Sequence, residues 1–189
     1  ATQAGRSQSQ LLGAAGRFVR EGHRSPCRVR FRGGGNIPAM PGDRPPILSA
    51  ASDHDWPAAA ALLNAHHLPL AGALEHLPDF ILARNGAGVH GVVGLERYGE
   101  TALLRSLAVA DTGQGLGIAL VHAALDAARA AGVKQVAALT TTAAAFFTRF
   151  GFRTVTRDDV PAAAHASAEF QGACPVSATA LLLDLGSLQ

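Results

Sequence analysis

Cysteine is nearly missing from this 189-residue chain: Cys27 and Cys174 are the only two, one toward each end. No disulfide framework and no Cys-x-x-Cys site can be built from them, which fits a reducing, cytoplasmic setting. No run of eighteen apolar residues occurs either, so no membrane-spanning helix is expected. The eight histidines show no metal-ligand spacing. His66, His67 and His76 form the nearest grouping, and exposed helix-end residues are its plainer reading, so no metal site is expected. Charge is sparse as well, and uneven. The formal net charge is +2, but residues 1–39 hold seven Arg and one Glu, whereas 40–189 hold nine basic and thirteen acidic residues. The basic character therefore belongs to the first segment and gives no ground for a nucleic-acid partner.

What is present begins with that segment. Residues 1–39 are rich in Gly, Arg, Ser and Gln, without a sustained apolar period and without the apolar core of a secretory signal. Such a stretch cannot offset its ordering entropy by burial, so it is expected to be a disordered basic tail. An Arg-rich transit peptide is one alternative. Met40, the single methionine, stands just ahead of the patterned sequence and suggests another: a natural start at Met40, with 1–39 as upstream sequence. The folded domain is expected over 40–189.

From Ile47 onward the pattern is regular. ILSA reads as a strand, and Ser52 or Asp53 can cap the helix WPAAAALLNAHH, with Pro57 in its first turn. LAGALEHLPD reads as a second helix ending near Pro78. FILARNG, VHGVVGLERYG and TALLRSLAV are strand-like and joined by the turn signals NGAG and YGE, which favour antiparallel hairpins. A helix follows TGQGLG, with Leu116, Leu120, Ala124, Ala127 and Ala131 along one face. Then come strand VKQVAAL, the short helix TAAAFFTRF, strand FRTV, the helix DVPAAAHASAEF and a closing strand ATALLLDL. This order predicts an α/β domain: a mixed, mostly antiparallel central sheet with helices on both faces.

TGQGLG carries the functional signal. Gly113, Gly115 and Gly117 let backbone N–H groups approach an anion, and the helix that follows adds unpaired donors and its positive dipole end. A P-loop would need Lys followed by Ser or Thr after the last glycine, where Ile118 and Ala119 stand. A dinucleotide fingerprint would need GxGxxG, and the spacing here is GxGxG. A pyrophosphate cradle of another type, or simply a tight strand-to-helix turn, is what the residues leave.

LRSLAVADTGQGLGIALVHAAL resembles the acetyl-CoA-binding motif of the GNAT N-acetyltransferase superfamily, with Leu107 and Val109 at the strand end and Gly115 and Gly117 at the two small positions. The motif's first position, usually Arg or Gln, is Thr112. TTTAAAFFTRFGF resembles a second family motif at Ala143, Gly151 and Phe152, with Thr140 and Phe147 where Asn and Tyr are customary. The strings GLE, LLRSLAV, LTTTAAAFFTRFGF and EFQGACPVSA further resemble the arsenic-resistance acetyltransferase subgroup, itself similar to the acetyltransferase domain of N-acetylglutamate synthase. The resemblance implies the GNAT fold and acetyl transfer from acetyl-CoA, as co-substrate, to the amine of a small amino acid or analogue, with a role in toxic-compound resistance. It implies a monomer or homodimer. A catalytically silent acyl-CoA-binding regulator and a protein N-acetyltransferase are the alternatives.

By the same resemblance, backbone groups of Leu107, Ala108 and Val109 would polarise the thioester, and Thr112, Gly113, Gln114, Gly115, Leu116 and Gly117 would hold the pyrophosphate. Thr140 and Phe147 would border the cofactor, and Thr141 and Ser177 the acceptor. Glu96, on the strand beside LRSLAV, is the candidate base; pairing with Arg105 is its equal alternative. Strand parity puts Arg105 on one face with Leu103 and Leu107, so its charge needs an anionic partner: a substrate carboxylate or Glu96. Ser106 should face the other way. The position where some relatives carry a catalytic carboxylate is Leu103. Thr140 to Thr142 could equally cap a helix, and Cys174 has no neighbouring His that would make it a nucleophile.

Overall fold

The computed structural model describes residues 46–86 and 88–187; the expectations for residues 1–39 and for Met40 lie outside them. Seven strands form one sheet in the order β1-β2-β3-β4-β5-β7-β6. They are β1 (Ile47–Ala50), β2 (Ile81–Asn85), β3 (Gly88–Tyr98), β4 (Thr101–Val109), β5 (Gln135–Thr140), β6 (Arg153–Val155) and β7 (Thr179–Asp184). Every pairing is antiparallel except β4 with β5, which needs a crossover and receives it as helix α2 (Leu116–Ala130). The mixed, mostly antiparallel sheet expected from the sequence is the one observed.

Both faces are covered. On one, α2 buries Leu120, Val121, Ala124, Leu125 and Ala128 against Val93, Leu95, Ala102, Leu104 and Leu181. The buried stripe is rotated from the expected one, for Ala127 is exposed and Val121 and Leu125 replace it. On the other face, helix α1 (Trp56–Ala65) packs Ala59 and Leu63 with Phe80, Leu82 and Val92. Farther along, Val160 and Ala164 cover Leu103, Ala137, Ala180 and Leu182. The chain enters α1 through a 3-10 turn over Asp53–Asp55, where Ser52 N–H and Oγ both donate to Asp55 Oδ2 at 2.8 Å in a capping box just ahead of Pro57. Ser52 caps that turn, and the N-cap of α1 itself is Asp55, neither of the two residues expected.

Two expected helices are replaced by tighter or broken turns. LAGALEHLPD yields a 3-10 helix over Leu74–Asp79 with Pro78 inside it. DVPAAAHASAEF yields a 3-10 helix over Ala162–Ala166 and a π-type turn over Glu169–Ala173. The break has a local cause: Ser167 is extended (φ −63°, ψ 140°), and its hydroxyl accepts the Glu169 N–H at 3.1 Å instead of leaving it to a helix. The short helix α3 (Ala144–Phe147) runs on as a 3-10 turn to Phe150 and stops at Gly151, which takes the left-handed conformation (φ 88°).

Candidate active site

The site begins where two strands part. β4 and β5 pair only from Thr101–Gln135 to Leu104–Ala138, although β4 runs on to Val109 and β5 to Thr140. Ser106 marks the cause. Its backbone is left-handed (φ 55°), and the β3–β4 register slips at this point: Gly94 faces Arg105, yet Val92 faces Ala108. This is a β-bulge, which bends a strand and raises its local twist. Past it, the β4 backbone has no partner in β5, and a cleft of about 540 Å³ opens between Leu104–Leu107 on one side and Leu139–Ala143 on the other.

At the outer end of the cleft, β4 runs into the loop of residues 110–115 and the first turn of α2. Gly113 (φ 88°) and Gly115 (φ 75°) hold left-handed conformations, and no atom lies within 4 Å of where a Cβ would sit on either. Gly115 caps α2 without any side-chain hydrogen bond, so the leading N–H groups of the helix are left to solvent or a ligand. Thr112, Gly113, Gln114 and Gly115 are exposed, while Leu116 and Gly117 are half-buried. The arrangement fits a pyrophosphate on chemical grounds: open backbone donors, a helix N-terminus, and no side chain in the way. Phe147 walls the middle of the cleft as a carbon surface, packed edge-on against Phe146 and Phe152. Thr140 serves as a cap, its Oγ1 accepting the Ala143 N–H at 2.9 Å, and Thr141 lies exposed on the rim.

The inner end is built from charge. Arg105 is 3 % exposed, Glu96 1 % and Glu169 4 %. Arg105 Nη1 pairs with Glu96 Oε1, its Nε lies 3.2 Å from Glu169 Oε1 and donates to Ser106 Oγ at 3.1 Å, and its Nη2 donates to the Pro69 carbonyl at 3.0 Å. Tyr98 donates to Glu96 Oε2 at 2.7 Å. Burial alone would push the Glu96 carboxyl up, but hydrogen bonds from Ser167, Arg105 and Tyr98 outweigh it and hold the group below its ordinary value. Glu169 goes the other way. Burial pushes it up to about 7; the Arg105 charge opposes the shift, and the Glu96 charge adds to it. The Tyr98 hydroxyl is pushed up to about 12 by burial and by its contact with Glu96. Gly72 (φ 73°) lies over this cluster, where a Cβ would stand 3.2 Å from the Ala168 Cβ and 3.5 Å from Arg105 Nη1.

The structure thus sorts the residues singled out from the sequence. Arg105 and Glu96 are brought together, as their alternative reading required, and the guanidinium is fully engaged within the protein. Glu96 lies beneath Arg105 and does not line the cleft. Two expectations are corrected, on Leu107 and on Ser106, and Ser177 is placed. Leu107 does not share a face with Arg105, because the bulge at Ser106 resets the parity and turns Leu107 toward the α2 side. Ser106 is engaged with Arg105 instead of packing on the opposite face. Ser177 is exposed in the turn closed by Ala178 N–H to Pro175 O, and it is Cys174 and Pro175 that line the cleft. Leu103 is wholly buried opposite Glu96. The residue that sequence reasoning missed is Glu169, the only acid between Asp159 and Asp184, set in the small-residue string ASAEFQGAC.

Among the described residues no group of three or more His, Cys, Asp and Glu could hold a metal, and no helix is long and apolar enough to cross a membrane.

Comparison with known proteins agrees with this geometry. Residues 77–154 match the acetyltransferase (GNAT) domain. No curated protein sequence matches the chain. Among solved structures, N-acetylglutamate synthase from Neisseria gonorrhoeae, complexed with coenzyme A and N-acetyl-glutamate, is similar at a TM-score of 0.63 and 22 % identity. That match covers 73 % of this chain and 34 % of the synthase, so the chain spans about a third of the synthase's length. Rv2747 from Mycobacterium tuberculosis, in complex with CoA, is similar at a TM-score of 0.62 and 24 % identity, over 74 % of this chain and 99 % of that one. An acetyltransferase from Streptococcus agalactiae is similar at 0.59 and 16 % identity, over 73 % and 97 % of the two chains. The chain has the fold of the GNAT acetyltransferases, and residues 77–154 carry that domain's sequence pattern.

Proposed function

We propose that the protein is an acetyl-CoA-dependent N-acetyltransferase acting on the amine of a small amino acid or amino acid analogue. The observation that carries the reading is the cleft between the parted β4 and β5, which a buried carboxylate lines, with the open-backbone glycine turn of residues 110–115 following directly on β4. Residues 112–117 would hold the pyrophosphate. The β4 edge from Leu107 to Val109, which pairs with β3 but not with β5, would bind the thioester and steady the oxyanion of the tetrahedral intermediate. A thioester is already activated, so holding amine and carbonyl together supplies much of the rate.

Arg105 is satisfied by two glutamates and a carbonyl, so in this reading it organises the acceptor end and does not clamp a substrate carboxylate. The resemblance to arsenic-resistance acetyltransferases extends the proposal to arsenic- or phosphorus-containing amino acids as acceptors. A second reading, a silent acyl-CoA-binding regulator, is favoured by Phe147, which puts a carbon-only ring where a hydroxyl acid is customary. Thiol release from acetyl-CoA, screened over amino acids, their phosphinic and arsonic analogues, polyamines and short peptides, decides between them. Turnover on one small-amine class supports the transferase. Turnover on peptides alone points to protein acetylation, and acetyl-CoA binding with no turnover on any amine leaves the regulator.

A further inference from the structure

We propose that Glu169 takes the proton from the acceptor amine, which makes it the general base of the transfer; the inference rests on the transferase reading above. Three observations single it out. It lines the cleft together with Leu104 to Leu107, whereas Glu96 is buried against Arg105 and does not line it. Its carboxylate lies 3.2 Å from Arg105 Nε, and its backbone is held by its N–H donating to Ser167 Oγ, so the side chain starts from a fixed point and has a charged partner. And Arg105 is shared: Glu96 takes Nη1, leaving Glu169 one weaker contact and only part of the positive charge.

Among the described residues, the charges that act on Glu169 are those of Arg105 and Glu96, and Tyr98 joins the cluster through its bond to Glu96. Arg105 on β4 attracts its anion, and Glu96 on β3 repels it. Cys174, on its own segment, lines the same cleft with its thiol pushed up by burial and by the Glu169 charge. His67, on the connection after α1, lines the cleft as well. With Arg105 balanced by Glu96, the cluster is neutral when Glu169 is protonated and carries one negative charge when it is not. An incoming ammonium supplies the missing cation and favours the ionised form. A base that titrates near neutrality is well matched to proton transfer at working pH.

The step balances as follows. The acceptor ammonium gives one proton to the Glu169 carboxylate and becomes a neutral amine. Its nitrogen lone pair attacks the thioester carbonyl of acetyl-CoA and forms the C–N bond. The tetrahedral intermediate collapses with cleavage of the C–S bond, and CoA leaves as thiolate. The remaining excess proton on nitrogen passes to the thiolate through water, and Glu169 returns its proton to solvent.

The test compares wild type with Glu169→Gln, which keeps size and removes the base. The expected result is a loss of roughly 10²- to 10⁴-fold in kcat/KM. Acetyl-CoA affinity should stay unchanged, which also certifies the fold. The wild-type kcat/KM should rise with pH through about 7. In the variant that inflection disappears, and the rate follows the free-amine fraction in solution. Glu169→Asp should recover part of the activity together with an inflection. A readout independent of turnover is carboxyl infrared titration, where a band titrating near pH 7 in wild type should be missing from Glu169→Gln. An inflection that persists in Glu169→Gln, or a wild type lacking that carboxyl band, overturns the proposal. A wild type that binds acetyl-CoA and acetylates no amine overturns the transferase reading itself, and the base with it.

Discussion

The two ends of the cleft are made of opposite materials. The outer end is backbone: exposed, glycine-rich, formed by nine consecutive residues from Val109 to Gly117, and free of charged side chains apart from Asp111. The inner end is side chain: buried, charged, and assembled from β3, β4, the α1-to-β2 connection and the Ser167–Cys174 segment. A cofactor phosphate common to many substrates can be met by peptide N–H groups that any sequence supplies. A particular acceptor has to be met by particular side chains, and those can come from anywhere the fold can reach. Substitutions should therefore separate the ends cleanly.

The largest effect is expected from Arg105→Ala, which would leave Glu96 and Glu169 buried against each other without their shared cation. Breaking a buried pair in this way costs about 3–5 kcal/mol, so urea unfolding should show a stability loss of that order. A stability change below about 1 kcal/mol would mean that water already reaches the cluster.

Gly115→Val should strike only the outer end. A β-branched side chain at φ 75° is strained by about 1–2 kcal/mol, and it places carbon where the cradle is open. The acetyl-CoA KM should rise by about tenfold or more with the acceptor KM unchanged; parallel rises in both would erase the distinction between the ends.

The third prediction concerns pH. A carboxyl raised in the folded state binds its proton more tightly there than in the unfolded chain, so Glu169 favours the fold at low pH. Its contribution is lost as pH rises from 4.5 through about 7. Glu96, which is lowered, works in the other direction: its contribution is present above 4.5 and lost as pH falls through its folded value. Melting temperatures of wild type should decline between pH 4.5 and 7, and Glu169→Gln should flatten that slope. An unchanged slope would place the titration elsewhere.

The smallest effect is expected from Tyr98→Phe. It removes one donor to Glu96, a loss of about 1–3 kcal/mol for a hydrogen bond to a charged group, while acetyl-CoA binding stays as it was.

The same contrast explains how much could be read in advance. The loop Thr112 to Gly117 was legible because its chemistry is local: glycines, a strand before, a helix after. The hairpins β2–β3–β4 announced themselves through turn residues, and α2 through its period. Glu96 with Arg105 was half legible, since neighbouring strands bring such residues together, but parity counting failed at Ser106, where nothing in the sequence marks a bulge. Glu169 was not legible. It lies 64 residues beyond Arg105 and reaches it only because Ser167 interrupts what composition alone presents as a continuous helix. The placement of Ser177 was not legible for a related reason: in CPVS the chain turns at Pro175, and the side of the turn that meets the cleft cannot be counted along the string.

The bulge at Ser106 has a mechanical meaning. Left regular, β4 and β5 would keep zipping, each added rung tightening the next, and the interior would be closed from end to end. One surplus residue works as a wedge driven into that zipper. It keeps a seam open through the middle of an otherwise continuous sheet, at the cost of a few rungs. The opening is therefore written into the strand pairing itself, and no ligand is needed to part β4 from β5.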